Sequence, residues 1–341
     1  TPGRGYSASK SALSCDDPPQ PRNLSPGPMT MKQLVVISGK GGTGKTAVTA
    51  AFAHLASTRG SRRSSVLADA DVDAANLELL VGASCTEEHP FSGGEIARIE
   101  PERCMSCGIC EEVCRFQAVR FLERSKTFEI DALGCEGCAT CFYQCPEEAI
   151  RMIPRKSGDW FQSESRFGPL FHARLRPAQE NSGKLVALVK DRARAVGRAQ
   201  GKSLMIVDGP PGIACPAIAA VTGADLVLIV TEPSLAGLND LERASEMVAH
   251  FRIPTAVCIN KADLYREGSR LIENYCHRKG EPILGSIPYD ESVVEALVAG
   301  RPVTDYRPGS GASRALVELW ENVREALTDS YPRLMQVGRG A

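Results

Sequence analysis

The chain carries almost no net charge: 40 lysines and arginines stand against 41 aspartates and glutamates among its 341 residues. A sequence-independent nucleic-acid binder carries a basic excess, so this balance argues against that class. No apolar run approaches the roughly 20 residues that a membrane-spanning helix needs. The first 30 residues contain no apolar core of the kind a secretory leader has. They are rich in serine, proline, glycine and arginine and lack periodicity, which predicts a disordered extension over 1–30, with Met31 a candidate start and Cys15 of no consequence. A cytoplasmic location is therefore expected. In that setting oxidised disulfides explain the 13 cysteines less well than metal-bound thiolates do. An apolar fraction of 43% over this length suffices for one large α/β domain with an insert, or for two domains.

What the sequence does have is a phosphate-binding loop. Gly39-Lys40-Gly41-Gly42-Thr43-Gly44-Lys45-Thr46 fits G-x-x-x-x-G-K-[ST], follows the apolar run Leu34–Ile37 and opens a helix over Ala47–Thr58. The glycines let successive N–H groups point at phosphate oxygens, and the helix start adds its positive dipole end. Lys45 would reach the β- and γ-phosphates, and Thr46 a Mg²⁺ ion. A second strand, Ser65–Ala68, delivers Asp69-Ala70-Asp71-Val72-Asp73, and Leu204–Val207 delivers Asp208-Gly209-Pro210-Pro211-Gly212. Ligands of open parallel sheets gather at such strand ends. Asp208 would hold a Mg²⁺-bound water, and the prolines with Gly212 would let the loop respond to a γ-phosphate. Capping aspartates and a plain strand-to-helix turn are the alternatives.

Lys40, directly after the first glycine, makes this loop resemble the deviant Walker A of the MinD/ParA class of P-loop ATPases. The resemblance implies that Lys40 crosses a dimer interface to the partner's nucleotide, so that hydrolysis needs two subunits. It implies further that Asp71 positions or activates the attacking water, and that Asp69 steadies Mg²⁺ through its water shell. Asn260-Lys261-Ala262-Asp263 matches the N-K-x-D that reads guanine in GTPases. In MinD-like proteins an asparagine at this strand end contacts adenine, so ATP is favoured, with Asn260 the base contact. Ile287-Pro288-Tyr289-Asp290 closes the nucleotide pocket by the same resemblance.

Eight cysteines form two runs, Cys104-x2-Cys107-x2-Cys110-x3-Cys114 and Cys135-x2-Cys138-x2-Cys141-x3-Cys145-Pro146. This is the doubled bacterial ferredoxin spacing, in which three cysteines of one run and the fourth of the other hold each [4Fe–4S] cube. On that rule Cys104, Cys107, Cys110 and Cys145 hold one cluster, and Cys135, Cys138, Cys141 and Cys114 the other. Arg115 stands where the first run would usually have proline, which is not a ligand. Zinc is the main rival, because paired C-x2-C units also bind it. Ala118-Val119 and Ala149-Ile150 follow the two runs at matching positions, as a pseudo-symmetric fold would have them.

The expected architecture is an α/β P-loop NTPase, a mainly parallel sheet flanked by helices, over 31–95 and 155–330. An α+β ferredoxin-like domain is inserted at 96–154, and 331–341 forms a flexible tail. Residues 155–181 show no clear period. An amphipathic helix then runs from Glu180 to about Arg198; Asn181 or Ser182 caps it, or Lys184 senses nucleotide state. Cys215 lies seven residues after Asp208, where the nitrogenase iron protein has a cluster cysteine. With no second such cysteine in sight, a small buried thiol is expected there, and Cys85, Cys258 and Cys276 read as packing residues. Ala315, Leu316, Leu319, Trp320, Val323 and Leu327 share one helix face for the core. Past residue 31 the chain resembles MinD-superfamily ATPases with an inserted two-cluster ferredoxin domain. That resemblance implies an ATP-dependent homodimer or paralogue heterodimer gating electron transfer to a redox partner. A cluster-assembly scaffold with an acceptor partner, and a regulatory switch with redox-sensing clusters, are the alternatives.

Overall fold

The apolar, β-branched segments of the sequence become the strands of one sheet in the structure, a computed structural model that describes residues 31–59, 65–176 and 182–328. The first half contains β1 (Lys32–Ser38), α1 (Lys45–Arg59), β2 (Ser65–Asp69), α2 (Leu77–Val81) and β3 (Ser84–Ile99). A cysteine-bearing lobe follows, with α3 (Ile109–Glu112), β4 (Val119–Leu122), β5 (Thr127–Ile130) and α4 (Thr140–Gln144). The chain returns through β6 (Ile150–Ser165), β7 (Gly168–Leu175), α5 (Ser182–Ala199), β8 (Leu204–Pro211), α6 (Cys215–Val221) and β9 (Leu226–Thr231). It closes with α7 (Leu235–His250), β10 (Thr255–Asn260), α8 (Arg266–Lys279), β11 (Ile283–Ile287), α9 (Glu291–Val298), α10 (Val303–Tyr306) and α11 (Gly311–Ala326).

The nine-stranded sheet has the order β11-β10-β9-β1-β8-β2-β7-β6-β3. Its pairs from β11 to β7 are parallel, while β6 and β3 are antiparallel. Both faces of the parallel part are covered, which is why its strands read as unbroken apolar runs. Strand alternation divides the core between the faces. Leu34 and Val36 pack with α1 and α11 on one side, and Val35 and Ile37 with α5 and α7 on the other. On α11 the expected face is seated, with Leu316, Leu319, Trp320 and Val323 buried and the Phe52 and Trp320 rings 5.1 Å apart.

The segment 155–181 had no period because its first part is not a two-layer strand. Residues Ile150–Ser157 of β6 pair with β3 alone, and only from Gly158 onward does β6 also pair with β7. Since β7 runs parallel to β2, the unpaired part of β6 extends past the carboxyl edge of the sheet, where the phosphate loop lies. At about 3.3 Å per residue, this ribbon carries the cysteine lobe roughly 25 Å beyond that edge. The boundaries read at 96 and 154 fall inside β3 and β6 and are not breaks in the chain path. The segments 1–30 and 331–341 and the residue Asn181 lie outside the described residues.

Within the lobe a 31-residue offset relates the two cysteine runs, 104 to 135, 107 to 138, 110 to 141 and 114 to 145. The same offset relates three pairs of left-handed backbone positions, Ser106 and Gly137, Gly108 and Ala139, Gln117 and Glu148. It also relates two hydrogen bonds to sulfur: Ala118 N donates to Cys114 Sγ at 3.4 Å and Ala149 N to Cys145 Sγ at 3.3 Å. A pattern shared at sequence, dihedral and hydrogen-bond level marks an internal duplication of fold. Gly137 also brings the lobe against the ribbon, since a Cβ there would sit 2.2 Å from the Glu95 carbonyl oxygen.

Candidate functional site

The phosphate loop leaves β1 and enters α1 through Gly42 and Gly44, both in the left-handed region with φ of 79° and 92°. At Gly44 a side chain is excluded twice over, because a Cβ would also lie 2.3 Å from Asn260 Nδ2. Lys45 opens α1 and is buried, with Nζ 3.3 Å from Asp208 Oδ1 and 3.5 Å from Asp71 Oδ2. Thr46 Oγ1 donates to Asp208 Oδ2 at 2.7 Å, and Thr49 Oγ1, one turn on, donates to Asp208 Oδ1 at 2.9 Å. Burial alone would lower the Lys45 pKa, but Asp208, Asp71 and Asp69 outweigh it and raise it above the usual lysine value. Thus one ammonium group bridges the Asp208 and Asp71 carboxylates beside the loop. Thr49 was not legible as a site residue, because only the helix places it under Asp208.

Asp69 closes β2 and is fully buried. Its carboxylate accepts from three backbone donors: Asp71 N at 3.1 Å, Asn76 N at 3.1 Å and Leu77 N at 3.0 Å. The sequence reading assigned Asp69 to the water shell of Mg²⁺. In the structure these donors make it the clasp of the 70–76 loop and of the start of α2. Burial pushes its pKa up to about 8, aided by the charge of Asp208 and opposed by the Leu77 and Asp71 amides and by Lys45. Burial likewise raises Asp71, and Lys45 pulls it back.

The folded value for Asp69 lies above the unfolded one, so the folded chain binds an extra proton between the ordinary carboxylate range and pH 8. This group therefore stabilises the fold below that window, and the contribution is lost as pH rises through about 8. In thermal melts of nucleotide-free protein, Asp69→Asn should remove part of the fall in Tm between about pH 5 and pH 8. A variant profile parallel to that of the parent would refute the assignment.

A cavity of about 760 Å³ opens over the loop, lined by Gly41–Ala47, Asp71, Asp73, Asn76, Leu79, Pro210, Pro211 and Leu297, among others. Gly212 lies behind it at φ 84°, its N–H donating to the Ser38 carbonyl at 2.9 Å, which ties the Pro210-Pro211 loop to the end of β1. Lys40 is turned to its own chain, with Nζ 2.6 Å from Glu232 Oε1. Lys261 Nζ reaches Glu232 Oε2 at 3.3 Å. The Lys40 hydrogen bond comes first among the causes that hold Glu232 below the usual carboxylate range. Asn260 Nδ2 donates to the Thr43 carbonyl at 2.7 Å, and Lys261 Nζ to the Gly42 carbonyl at 3.3 Å, so both brace the loop from behind. Asp290 caps α9 and also accepts from Ala312 N at 3.0 Å, an anchorage that accounts for its pKa of about 2.

The cysteines meet across the two runs. One space is lined by Cys104, Cys107, Cys110 and Cys145, and another by Cys114, Cys135, Cys138 and Cys141. Each quartet lines one space, and among the described residues no group of three or more His, Cys, Asp or Glu side chains is arranged to hold a metal ion. Four soft donors per quartet, apolar walls including Ile99, Phe128 and Ala118, and an amide N–H on one sulfur of each suit an iron–sulfur cube. Cys107 and Cys138 are exposed at the outer rim. Of the other cysteines, Cys258 and Cys276 are buried as expected. Cys85, on the ribbon strand β3, and Cys215, at the first turn of α6, are exposed and do not belong to the core. Lys184 is exposed on α5.

A parallel sheet with a glycine loop between β1 and α1, a buried lysine at the start of α1 and aspartates at two neighbouring strand ends defines a P-loop nucleotide-binding domain. The family model for the CobQ/CobB/MinD/ParA nucleotide binding domain matches residues 34–303, and the chain belongs to that family. An uncharacterised protein of Methanocaldococcus jannaschii is 32% identical over 293 residues, 86% of this chain and 96% of its own length. The septum site-determining protein MinD of Neisseria meningitidis is 22% identical over 80% of this chain and 83% of its own length. Among solved structures, MinD of Pyrococcus horikoshii complexed with Mg-ADP superposes with a TM-score of 0.52 at 16% identity, covering 90% of this chain and 99% of that one.

Proposed function

We propose that this protein is an ATP-driven iron–sulfur protein in which nucleotide state at the phosphate loop controls electron transfer through two [4Fe–4S] clusters to a partner protein. The observation that carries the reading is the crossed grouping of the cysteines, three from one run and one from the other around each space. A single tetrahedral zinc draws its sulfurs to about 2.3 Å from one centre, whereas a cube needs them spread around it. Cys104, Cys107, Cys110 and Cys145 would hold one cube, and Cys114, Cys135, Cys138 and Cys141 the other; when bound, they supply one-electron redox chemistry.

The chain's own residues do the rest. Backbone amides of Gly41–Thr46 and the Lys45 ammonium take the β- and γ-phosphates, and Thr46 with Asp208 takes Mg²⁺. As phosphate draws Lys45 away, Asp71 is freed to orient water toward the γ-phosphorus. Lys40 exchanges Glu232 for the nucleotide of a second copy, as the MinD/ParA resemblance implies, so hydrolysis belongs to a dimer. Anaerobic purification with iron and sulfide counted, followed by redox titration with Mg·ATP, Mg·ADP and no nucleotide, tests the whole reading. About eight irons per chain and a nucleotide-dependent reduction potential are expected. Zinc in place of iron, or equal potentials in all three states, would defeat it.

The likeness to MinD supports a second reading, a regulatory ATPase whose clusters sense redox state. Nucleotide-dependent association with a partner that persists unchanged on reducing the clusters would exclude that one.

A further inference from the structure

Helix α2 has only five residues, yet it is fastened at its start, middle and end. At its start, the Asp69 carboxylate accepts from Leu77 N at 3.0 Å. In its middle, Glu78 ion-pairs with Arg174, and its Oε2 lies 3.3 Å from Nδ1 of the buried His172. At its end, Arg166 in the β6–β7 turn donates to the Leu80 carbonyl at 2.8 Å and to the Val81 carbonyl at 3.3 Å. Beyond Asp69, the hydrogen-bond and ion-pair partners just named belong to the β6–β7 hairpin or its turn. His172 reaches across it, its Nε2 3.0 Å from Ser163 Oγ on β6. The loop before α2 is bonded there too, with Leu175 N donating to the Val72 carbonyl at 3.0 Å.

Strand β6 then continues without a break to the lobe, where Arg155 Nη1 donates to the carbonyl of Cys135 at 3.1 Å. A chain of direct contacts therefore leads from the aspartates beside the phosphate loop, through α2, to the backbone of a quartet cysteine. A helix this short gains little from its own hydrogen bonds, so its position follows whatever grips it. Its apolar side, Leu77, Leu80 and Val81, is buried in the core beside α1, and its polar holds are Asp69 on one side and the hairpin on the other.

We propose that α2 is the lever between the two sites, and that Glu78 and Arg166 are positioning residues through which the 70–76 loop moves β6 and the cysteine lobe when nucleotide changes. The proposal rests on the reading that nucleotide state reaches the quartets, and it names the route. A displacement of the loop by γ-phosphate shifts α2, the Glu78–His172 and Arg166 contacts carry the shift into the hairpin, and β6 delivers it to Arg155 and Cys135. Contiguity is not coupling, and the decisive evidence is loss of a distant response when the link is cut.

The test is hydrogen–deuterium exchange on the full chain, purified anaerobically, with Mg·ADP and with a non-hydrolysable Mg·ATP analogue. In the parent protein, exchange in 150–157 and 133–141 should differ between the two nucleotides. In Glu78→Gln and in Arg166→Ala that difference should be lost, while analogue affinity and exchange in the phosphate loop stay as in the parent. Arg174→Gln, which loosens Glu78 from the exposed side, serves if either variant folds poorly. Persistence of the lobe response in folded variants overturns the lever. No response in the parent overturns the lever together with the mechanical basis of the gating. A lobe response without any change of reduction potential spares the lever and counts against nucleotide-gated electron transfer alone.

Discussion

Lys45→Ala should abolish ATP hydrolysis and, less obviously, destabilise the nucleotide-free protein while making it unusually responsive to Mg²⁺. The side chain is 7% exposed and its ammonium serves Asp208 at 3.3 Å and Asp71 at 3.5 Å, with Asp69 in the same field. Removing it leaves the Asp208 and Asp71 carboxylates without a counter-charge in a poorly solvated corner. Breaking a buried pair in this way costs about 3–5 kcal/mol, because the remaining charges are uncompensated. At roughly 2–4 °C per kcal/mol for a domain of this size class, Tm should fall on the order of 10 °C. Asp208 and Asp71 then face one another as an anionic pair, so millimolar Mg²⁺ should restore more of the lost Tm in the variant than it adds to the parent. Calorimetry with and without Mg²⁺, beside a phosphate-release assay, checks both halves. A variant that hydrolyses ATP normally, or melts with the parent at every Mg²⁺ concentration, would show that Lys45 is not the hub of this site.

Much of that site was legible because its motifs are local. The phosphate loop, the aspartates at the ends of β2 and β8 and both cysteine runs each occupy a few consecutive residues, and spacing alone carries their geometry. The main sheet was legible for the same reason, since doubly covered parallel strands announce themselves as apolar runs such as Leu226–Val230. What escaped depends on residues that meet only after folding. Nothing in the sequence couples Thr49 to Asp208, Glu232 to Lys40, or Glu78 to His172; the last pair is separated by the whole lobe. Residues 155–176 resisted because β6 has one neighbour along its first half and two along its second, so no single alternation describes it. Cys85 read as a core residue because an isolated cysteine usually is one, yet β3 is the sheet's edge and its outer end is exposed. Asp69 is instructive in a different way. Its type and position suggested a metal's water shell, and the three amides that claim its carboxylate follow from the tight path of the 70–76 loop.

If the quartets hold iron–sulfur clusters as proposed, Cys114→Ala should eliminate the cluster of the second cysteine run and leave that of the first. Neighbours in sequence would predict the reverse, for Cys114 follows Cys110 by four positions and precedes Cys135 by 21. In the fold, however, Cys114 lines the same space as Cys135, Cys138 and Cys141, and Cys145 lines the space of Cys104, Cys107 and Cys110. The assignment can be read without identifying either spectrum, by combining substitutions. On the iron–sulfur reading, Cys114→Ala alone should reduce bound iron from about eight atoms to about four. Adding Cys138→Ala should remove nothing further, since both cysteines serve one cluster, whereas adding Cys107→Ala should empty the protein of iron. Cys145→Ala should behave in mirror image, additive with Cys138→Ala and redundant with Cys107→Ala. The sequential assignment predicts the opposite pairing of redundant and additive doubles, so a single set of anaerobic iron determinations separates the two. Circular dichroism on each variant guards against a trivial loss of the lobe, because Cys114 and Cys145 pack against its small core of Ala97, Ile99, Val119, Phe128 and Ile150. Should the redundant pairs turn out to be Cys114 with Cys107 and Cys145 with Cys138, the crossed quartets, and with them the pseudo-symmetric lobe as a two-cluster carrier, would have to be abandoned.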